Sequence, residues 1–429
     1  MRTDAVTQTM QVCLGEQAIP VGTLTYSRQG TRENTSFGYD DTWLENGNRF
    51  EISPDLPLTR ERYFHKPATR SDSIFHFAIA DTEPDGWGCK VIARDHAKRR
   101  KSGKMGEGSA LTEMDYLVGV DDVGRVGALR FRNAAGEFMR TPGDGERAIP
   151  PLLELTEIVG AAHAVERGTE TAKDLDCLRG RATSLGGMRP KCTVVDDDGC
   201  LAIGKFPSVS DDRAVTKAEI LALKLAASAG IDAAQGRIVY SDGIPIALIR
   251  RFDRVQAGRI PYLSATSMLR ASREDEHTYS EIAERILSVS PDAKRDLAEL
   301  WRRIVFNMLI TNVDDHLNNH GFLHVGHGQW RLAPAFDLNP FPDKGRDPKT
   351  WLTEETGPTG KINDAMHAAG YFHLTDEHAF RILAEVHGAV SQWRQVARNA
   401  AVGMTIRELE AFDAAFEHEE ERSAKQWLA

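Results

Sequence analysis

Apolar and polar residues alternate with period two in the first third of the chain. The stretches "AIPVGTLTY" (18–26) and "TSFGYDDTWLEN" (35–46) place every second side chain on one face, which predicts half-buried strands between turn formers. "ISPDLPLTR" (52–60) carries two prolines and reads as a loop, and the Pro-Asp-Gly of "EPDGWGCKVIARDHAKR" (83–99) reads as a turn into a helix. Residues 114–132 fit either a strand pair or a helix end followed by the strand "GALRFR". A helical period starts after Pro150 and Pro151 and runs to Glu166. "KCTVV" and "CLAIGKF" are short β-type runs around Asp-Asp-Asp-Gly at 196–199, which predicts a hairpin. Residues 216–230 form a largely apolar helix closed by Gly230, and "IPIALIRRFDR" (244–254) reads as a strand. Beyond it the period changes to 3.6 residues. "YSEIAERIL", "RDLAELWRRIVFNMLITN", residues 375–401 and residues 405–428 are amphipathic helices. A β-rich first part followed by an all-helical last part predicts an α+β protein with two lobes.

Length, charge and cysteines narrow the class. A chain of 429 residues is long enough for two or three domains. Its net charge of −10 opposes nonspecific attraction to nucleic acid or to an anionic membrane. The run "HAKRRKSGK" (96–104), with Lys98, Arg99, Arg100, Lys101 and Lys104, is locally basic and reads first as a solvated loop. Five scattered cysteines without a CxxC pair fit free thiols in a reducing compartment. No leader pattern opens the chain, and no apolar run reaches the roughly 18 residues of a membrane span, so a cytoplasmic location is expected.

The densest chemistry lies in "ITNVDDHLNNHGFLH" (310–324), which alone fits either a metal site or a phosphoryl-transfer loop. His316, His320 and His324 would share one face of a helix, but HExxH is absent and Gly321 interrupts the helix. The oxygens give a fuller pattern. Phosphoryl transfer from ATP needs a carboxylate to take the substrate hydroxyl proton, and hard oxygen ligands for Mg²⁺, usually one carboxylate and one amide. Asp314, five residues before Asn319, and then Asp337 in "LAPAFDLNP" reproduce the order and spacing of kinase loops. The strand "LAIGKF" offers Lys205 for the phosphates, and Glu219 on the following helix is placed to orient it.

The blocks "ATSLGGMRPKCTV", "AIGKFP", "RRFDR", "LSATSML", "NVDDHLNNHGFLH" and "LAPAFDLNP" resemble those of the HipA family, serine/threonine kinase toxins of bacterial toxin–antitoxin pairs. "VGTLTY", "SPDLPL", "PDGWG" and "VGALRF" are similar to that family's N-terminal subdomain, so the resemblance runs from about residue 15 to about residue 345. It implies a two-lobed HipA-like kinase fold of the phosphoinositide-kinase-like type. The parts would be a β-rich subdomain (1–140), a nucleotide-binding small-lobe part (141–253) and a helical C-terminal lobe (254–429). It assigns Asp314 as catalytic base, Asn319 and Asp337 as Mg²⁺ ligands, and Lys205 to the α and β phosphates. Residues 184–191 become a phosphate loop with Gly186, Gly187 and Lys191, and Ser184 occupies the position at which the family autophosphorylates to expel the loop. Phe252 would lie against adenine, with backbone groups near Arg250 bonding the base. Two positions depart from the family. Arg250 stands where many relatives have Glu, and Asp315 stands where Gly is frequent, its side chain expected to point to solvent.

The resemblance implies an ATP- and Mg²⁺-dependent kinase toxin, silenced by autophosphorylation at Ser184. Its partners would be a target such as an aminoacyl-tRNA synthetase and a HipB-like helix-turn-helix antitoxin that carries it to operator DNA. Two rivals are a catalytically silent co-repressor that binds nucleotide and antitoxin, and a metal-dependent hydrolase built on His316, His320 and Asp337.

Overall fold

The period-two segments at the N-terminus pair into one antiparallel sheet, except that the second segment leaves it after Tyr39 for the short helix Asp41–Leu44. Its strands are β1 (Val6–Leu14), β2 (Ile19–Gln29), β3 (Arg32–Tyr39), β4 (Arg62–His65) and β5 (Leu129–Arg132), in the order β4–β3–β2–β1–β5. Leu24 and Tyr26 of β2 are buried, while Thr23 and Thr25 between them are partly exposed, which is the alternation the sequence predicts. Pro20 sits opposite Cys13 where the β1–β2 register shifts, a bulge that spares the ladder a missing donor.

A computed structural model describes residues 6–84, 86–102, 110–140, 149–179, 181–182, 187–255, 258–272, 274–343 and 347–429. They divide into two compact units. The first is Met1–Ser210 with Ser241–Ile244 and Asp253–Leu263, and the second is Asp211–Tyr240 with Pro245–Phe252 and Ser264–Ala429. Among the described residues, no helix is long and apolar enough to cross a membrane.

Around its sheet the first unit carries the helices Gly86–Lys101, Glu113–Gly119, Leu155–Arg167 and Ala172–Leu178. The ambiguous segment 114–132 is therefore a helix followed by a strand. Lys98 to Lys101 form the last turn of a helix, where cations meet the negative end of its dipole, and are not the solvated loop expected of them. Also in this unit, β6 (Lys191–Val195) and β7 (Leu201–Lys205) form the predicted hairpin, with Lys191 directly opposite Lys205.

β8 (Gly236–Ser241) lies beside β9 (Ile244–Arg250), and the second unit holds both strands except Ser241 and Ile244. The turn between them puts both Asp242 and Gly243 at positive φ, 48° and 78°, as a tight hairpin requires. The rest of the unit is organised on the helix Ala293–Leu309, which buries Leu297, Leu300, Trp301, Ile304, Val305 and Phe306. Each such side chain contributes about 1.5–3 kcal/mol of apolar burial. This helix packs against Tyr279–Val289, which Thr278 and Glu281 start with a reciprocal capping box, and against Asp376–Val390.

Two readings of the last third are corrected. It is not all-helical: Gly321–Gly326 and Gln329–Leu332 form an antiparallel hairpin turned by His327 and Gly328 at positive φ. The long helical spans also break. Residues 375–401 give Asp376–Val390 and Trp393–Arg398, divided where the Ser391 hydroxyl turns back to the His387 carbonyl. Residues 405–428 give Ile406–Glu410, Asp413–Phe416 and Glu419–Leu428, with the His418 ring drawn away to the Leu309 carbonyl.

The first unit also contains a buried guanidinium. Arg125, 1% exposed, donates to the carbonyls of Thr82, Leu117 and Val120 at 3.0, 2.9 and 2.9 Å. Replacing it with Met strands three buried acceptors, so Arg125→Met should cost about 3 kcal/mol in urea unfolding. The exposed Arg100→Met should stay within about 0.5 kcal/mol of wild type.

Candidate active site

The helix Ala293–Leu309 is followed by Thr311 at φ 54°, a left-handed backbone unfavourable for a β-branched residue. Its hydroxyl is anchored on the Ala415 carbonyl at 3.0 Å. Such strain persists only where surrounding structure imposes it, and it clusters at functional sites. The chain then runs through the 310–324 segment with alternating exposure: Asp314 out, Asp315 in, His316 out, Leu317 in.

Asp315 is the buried member, 4% exposed. Its Oδ2 accepts from the Tyr279 hydroxyl at 2.5 Å, from Asn307 Nδ2 at 2.8 Å and from His320 Nε2 at 2.8 Å. Asn312 Nδ2 in turn donates to Asn307 Oδ1 at 3.1 Å, which fixes the Asn307 amide with its nitrogen toward Asp315. The Thr350 hydroxyl donates to the Asp315 carbonyl at 2.6 Å. Burial by itself would raise the Asp315 carboxyl; the charge and hydrogen bond of His320 and the bond from Tyr279 outweigh it and hold the group below the usual carboxylate range. The expected solvent-pointing side chain is thus corrected, because three donors from separate elements converge where that chain sits.

With Asp315 held inward, Asp314 is exposed and Asn319 is 8% exposed beside it. Asn319 donates its backbone N–H to the His316 carbonyl at 2.8 Å and its Nδ2 to the Asp314 carbonyl at 3.1 Å. The inward nitrogen leaves Oδ1 as the atom the amide can offer a cation. Asp337 adopts φ 58°, another left-handed residue, and Asn339 Nδ2 donates to its Oδ1 at 3.3 Å and its carbonyl at 3.0 Å. Two residues earlier, Ala335 exchanges backbone bonds with Asp232 and Ala234 at 2.7 and 2.8 Å, and Arg303 donates to the Ala333 carbonyl at 2.9 Å. The Asp337 segment is therefore tied to the same helix that supports the Asp314 loop. One carboxylate and one amide oxygen are the hard donor set that Mg²⁺ takes.

The remaining expected residues divide between the units. Glu219, 3% exposed on the helix Val215–Ser228, Arg250 and Phe252 belong to the second. The Phe252 ring lies 5.4 Å from that of Phe336, the residue before Asp337. The Arg250 N–H is bonded to the Gln235 carbonyl at 2.8 Å, so it is not among the backbone groups open to a base.

Gly187, Lys191 and Lys205 belong to the first unit. Lys191 and Lys205 share one face of the hairpin because directly opposed residues point the same way. Gly187 has φ 97°, and a Cβ there would lie 2.5 Å from Lys191 Nζ, so the ammonium rests against the glycine. Ser184 and Gly186 lie outside the described residues.

The three histidines do not converge. His316 is exposed, and His320 serves Asp315. His324 accepts the Gly328 N–H at 3.2 Å, with burial pushing it down to about 4. Among the described residues, a three-ligand group of His, Cys, Asp or Glu occurs elsewhere and not with His316, His320 and Asp337.

Two family models match the chain in succession, the HipA N-terminal domain over residues 10–128 and the HipA-like C-terminal domain over residues 183–393. The chain belongs to the HipA family. A Sinorhizobium fredii protein named "Putative kinase Y4mE" is 26% identical over 340 residues, 74% of either chain. A Haemophilus influenzae protein named "Putative kinase" is 32% identical over 76 residues, 17% of this chain and 22% of that one. Among solved structures, a chain from the Shewanella oneidensis toxin–antitoxin complex of HipA, HipB and operator DNA matches with a TM-score of 0.67. That match spans 98% of this chain and 97% of that one at 14% identity, and it shows a shared HipA-like fold of mixed helix and sheet.

Removing the Asp315 charge tests the loop. Asp315→Asn should lose about 2–3 kcal/mol near neutral pH, since bonds to a charged acceptor become bonds to a neutral one. The folded carboxyl lies below its unfolded value, so its contribution is present above the unfolded pKa of about 3.9 and lost as pH falls through the folded one. Urea midpoints of wild type and variant should therefore converge below about pH 4.

Proposed function

We propose that this chain is an ATP- and Mg²⁺-dependent protein serine/threonine kinase that acts as the toxin of a toxin–antitoxin pair. The observation that carries the reading is the Asp314–Asn319 loop, locked by the buried Asp315 with Asp314 left exposed and the Asn319 amide oriented. The names of the similar proteins and the family membership support it. The proposal includes a two-lobed, phosphoinositide-kinase-like arrangement in three parts, 1–140, 141–253 and 254–429.

In this reading Asp314 accepts the proton of a serine or threonine hydroxyl as its oxygen bonds to the γ-phosphorus. The bond from that phosphorus to the β,γ-bridging oxygen breaks and ADP leaves. Asn319 and Asp337 would hold Mg²⁺, which would supply charge neutralisation on the phosphates. Lys205 and Lys191 face the phosphates from one hairpin face, Gly187 lets the backbone approach them, and Glu219 orients Lys205. Phe252 packs on adenine. Ser184 is the autophosphorylation site that silences the enzyme. A HipB-like antitoxin, and operator DNA reached mainly through it, are the proposed partners, supported by the shared fold with a HipA chain from a complex of that composition. A translation enzyme such as an aminoacyl-tRNA synthetase is the proposed target, and the cytoplasm the proposed location.

Intact and peptide mass spectrometry after incubation with Mg²⁺-ATP tests this. Wild type should gain a phosphate on the peptide containing Ser184. Asp314→Ala should gain none, with turnover on any acceptor reduced about 10²–10⁴-fold. Gly187→Ala, which strains φ 97° and crowds Lys191, should raise KM for ATP. No phosphate on wild-type protein that starts unmodified and binds ATP would instead favour the co-repressor.

A further inference from the structure

A second cluster of ligating side chains lies in the first unit, among residues that the proposed chemistry does not use. Asp55, His65 and His76 come from three separate pieces: a loop after Ser53, the last residue of β4, and the residue that opens the helix Phe77–Ala80. One donor atom from each lies within 4.8 Å of the others. His76 is 2% exposed, and the side chains of Asp55 and His65 keep only 15% and 10% of their surface.

The hydrogen bonding of His76 calls for positive charge between its ring and Asp55. Its Nε2 lies 3.1 Å from the Tyr63 carbonyl, which can only accept, so Nε2 carries a proton. In a neutral ring the other nitrogen is then a bare lone pair, yet Nδ1 faces the Asp55 Oδ2 at 2.6 Å. Two acceptors do not sit that close with nothing positive shared between them. A proton would satisfy His76 and Asp55 as a pair. It does not involve His65, whose Nδ1 turns to the same Oδ2 at 3.7 Å and whose ring stands edge-on to His76 at 5.2 Å and to Phe77 at 5.6 Å. The Ser53 hydroxyl donates to the other oxygen, Asp55 Oδ1, and so turns Oδ2 toward the two rings.

We propose that Asp55 Oδ2, His65 Nδ1 and His76 Nδ1 bind a divalent first-row transition metal of the zinc class. Two imidazoles and a carboxylate suit such an ion, and a ligating histidine that donates its second N–H to a backbone carbonyl is the usual supporting arrangement. Ligands around zinc stand about 3.3 Å apart in a tetrahedron. The observed 2.6 and 3.7 Å bracket that spacing, so small side-chain rotations close the site. The residual exposure of Asp55 and His65 admits water as the fourth ligand. Bound metal clamps the irregular segment 51–61 and the start of the Phe77–Ala80 helix to β4.

The test uses the full chain, stripped with EDTA and titrated with Zn²⁺ against a chromophoric chelator, and separately with Co²⁺ by visible absorption. Wild type should bind one Zn²⁺ with Kd below about 1 μM. Its Co²⁺ form should show a tetrahedral d–d spectrum without a thiolate charge-transfer band. His65→Ala, at the rim of the site, should weaken binding about 100-fold, and Asp55→Asn should weaken it too. Zinc should raise Tm in wild type and not in His65→Ala. Asp337→Asn should leave the zinc titration unchanged. Equal affinity in His65→Ala, a thiolate band, or binding only at millimolar zinc would overturn the proposal. The last result would leave His76 and Asp55 as a proton-bridged ion pair.

Discussion

The candidate site depends on where one carboxylate sits. Asp315 is buried, and taking a carboxylate out of water costs several kcal/mol unless its lone pairs are matched. Three donors match them, and they arrive from Tyr279 on one helix, Asn307 on another and His320 after the loop. Two of the three are themselves held: Asn307 by Asn312, and Tyr279 at the start of a capped helix. The network therefore sets the phase of the segment. In extended backbone successive side chains point to opposite sides, so fixing Asp315 inward fixes Asp314 and His316 outward. The exposure of Asp314 is a consequence of its buried neighbour.

That phase also bears on the histidine reading of the segment. A histidine metal site needs His316 and His320 to converge, and the phase sends them apart, one to solvent and one to Asp315. Asn319 follows in a tight turn that spends its nitrogen on the Asp314 carbonyl, so the amide presents oxygen. Asp337 reaches its place through a left-handed residue pinned by Asn339 and by the backbone bonds of Ala335. The folded loop keeps those oxygens available and leaves the histidines apart.

Spacing made Asp314, Asn319 and Asp337 legible as candidates, because a loop motif is local and its order is written in the chain. The hairpin carrying Lys191 and Lys205 was legible for the same reason, through its Asp-Asp-Asp-Gly turn. Asp315 was not. Two of its partners lie 36 and 8 residues away, and nothing local distinguishes a carboxylate facing solvent from one facing three donors. The strand β1 is hidden because its first four residues are all exposed, apolar Val6 with polar Thr7, Gln8 and Thr9, and its pairing with β2 and β5 supplies the order that its own pattern lacks. The helical spans 375–401 and 405–428 look continuous because amphipathic period persists across breaks. Two of those breaks coincide with the Ser391 bond to its own helix and the His418 bond to Leu309, contacts that periodicity does not encode.

The same limit hides the cluster at Asp55. Asp55, His65 and His76 have no motif spacing, and a proline-bearing loop with two distant histidines reads as surface. Folding brings them together because β4 pairs with β3 and because Ser53 donates to Asp55 while accepting from the Ala78 N–H that follows His76. The two candidate cation sites then differ in kind. Asn319 and Asp337 offer oxygen alone, which suits a hard ion that keeps its waters and shares itself with phosphates. Asp55, His65 and His76 offer two nitrogens in a nearly dry setting, which suits an ion that holds the protein rather than a substrate. Ligand chemistry would keep Mg²⁺ and a zinc-class ion apart in one chain, without either site needing to exclude the other's ion by affinity alone.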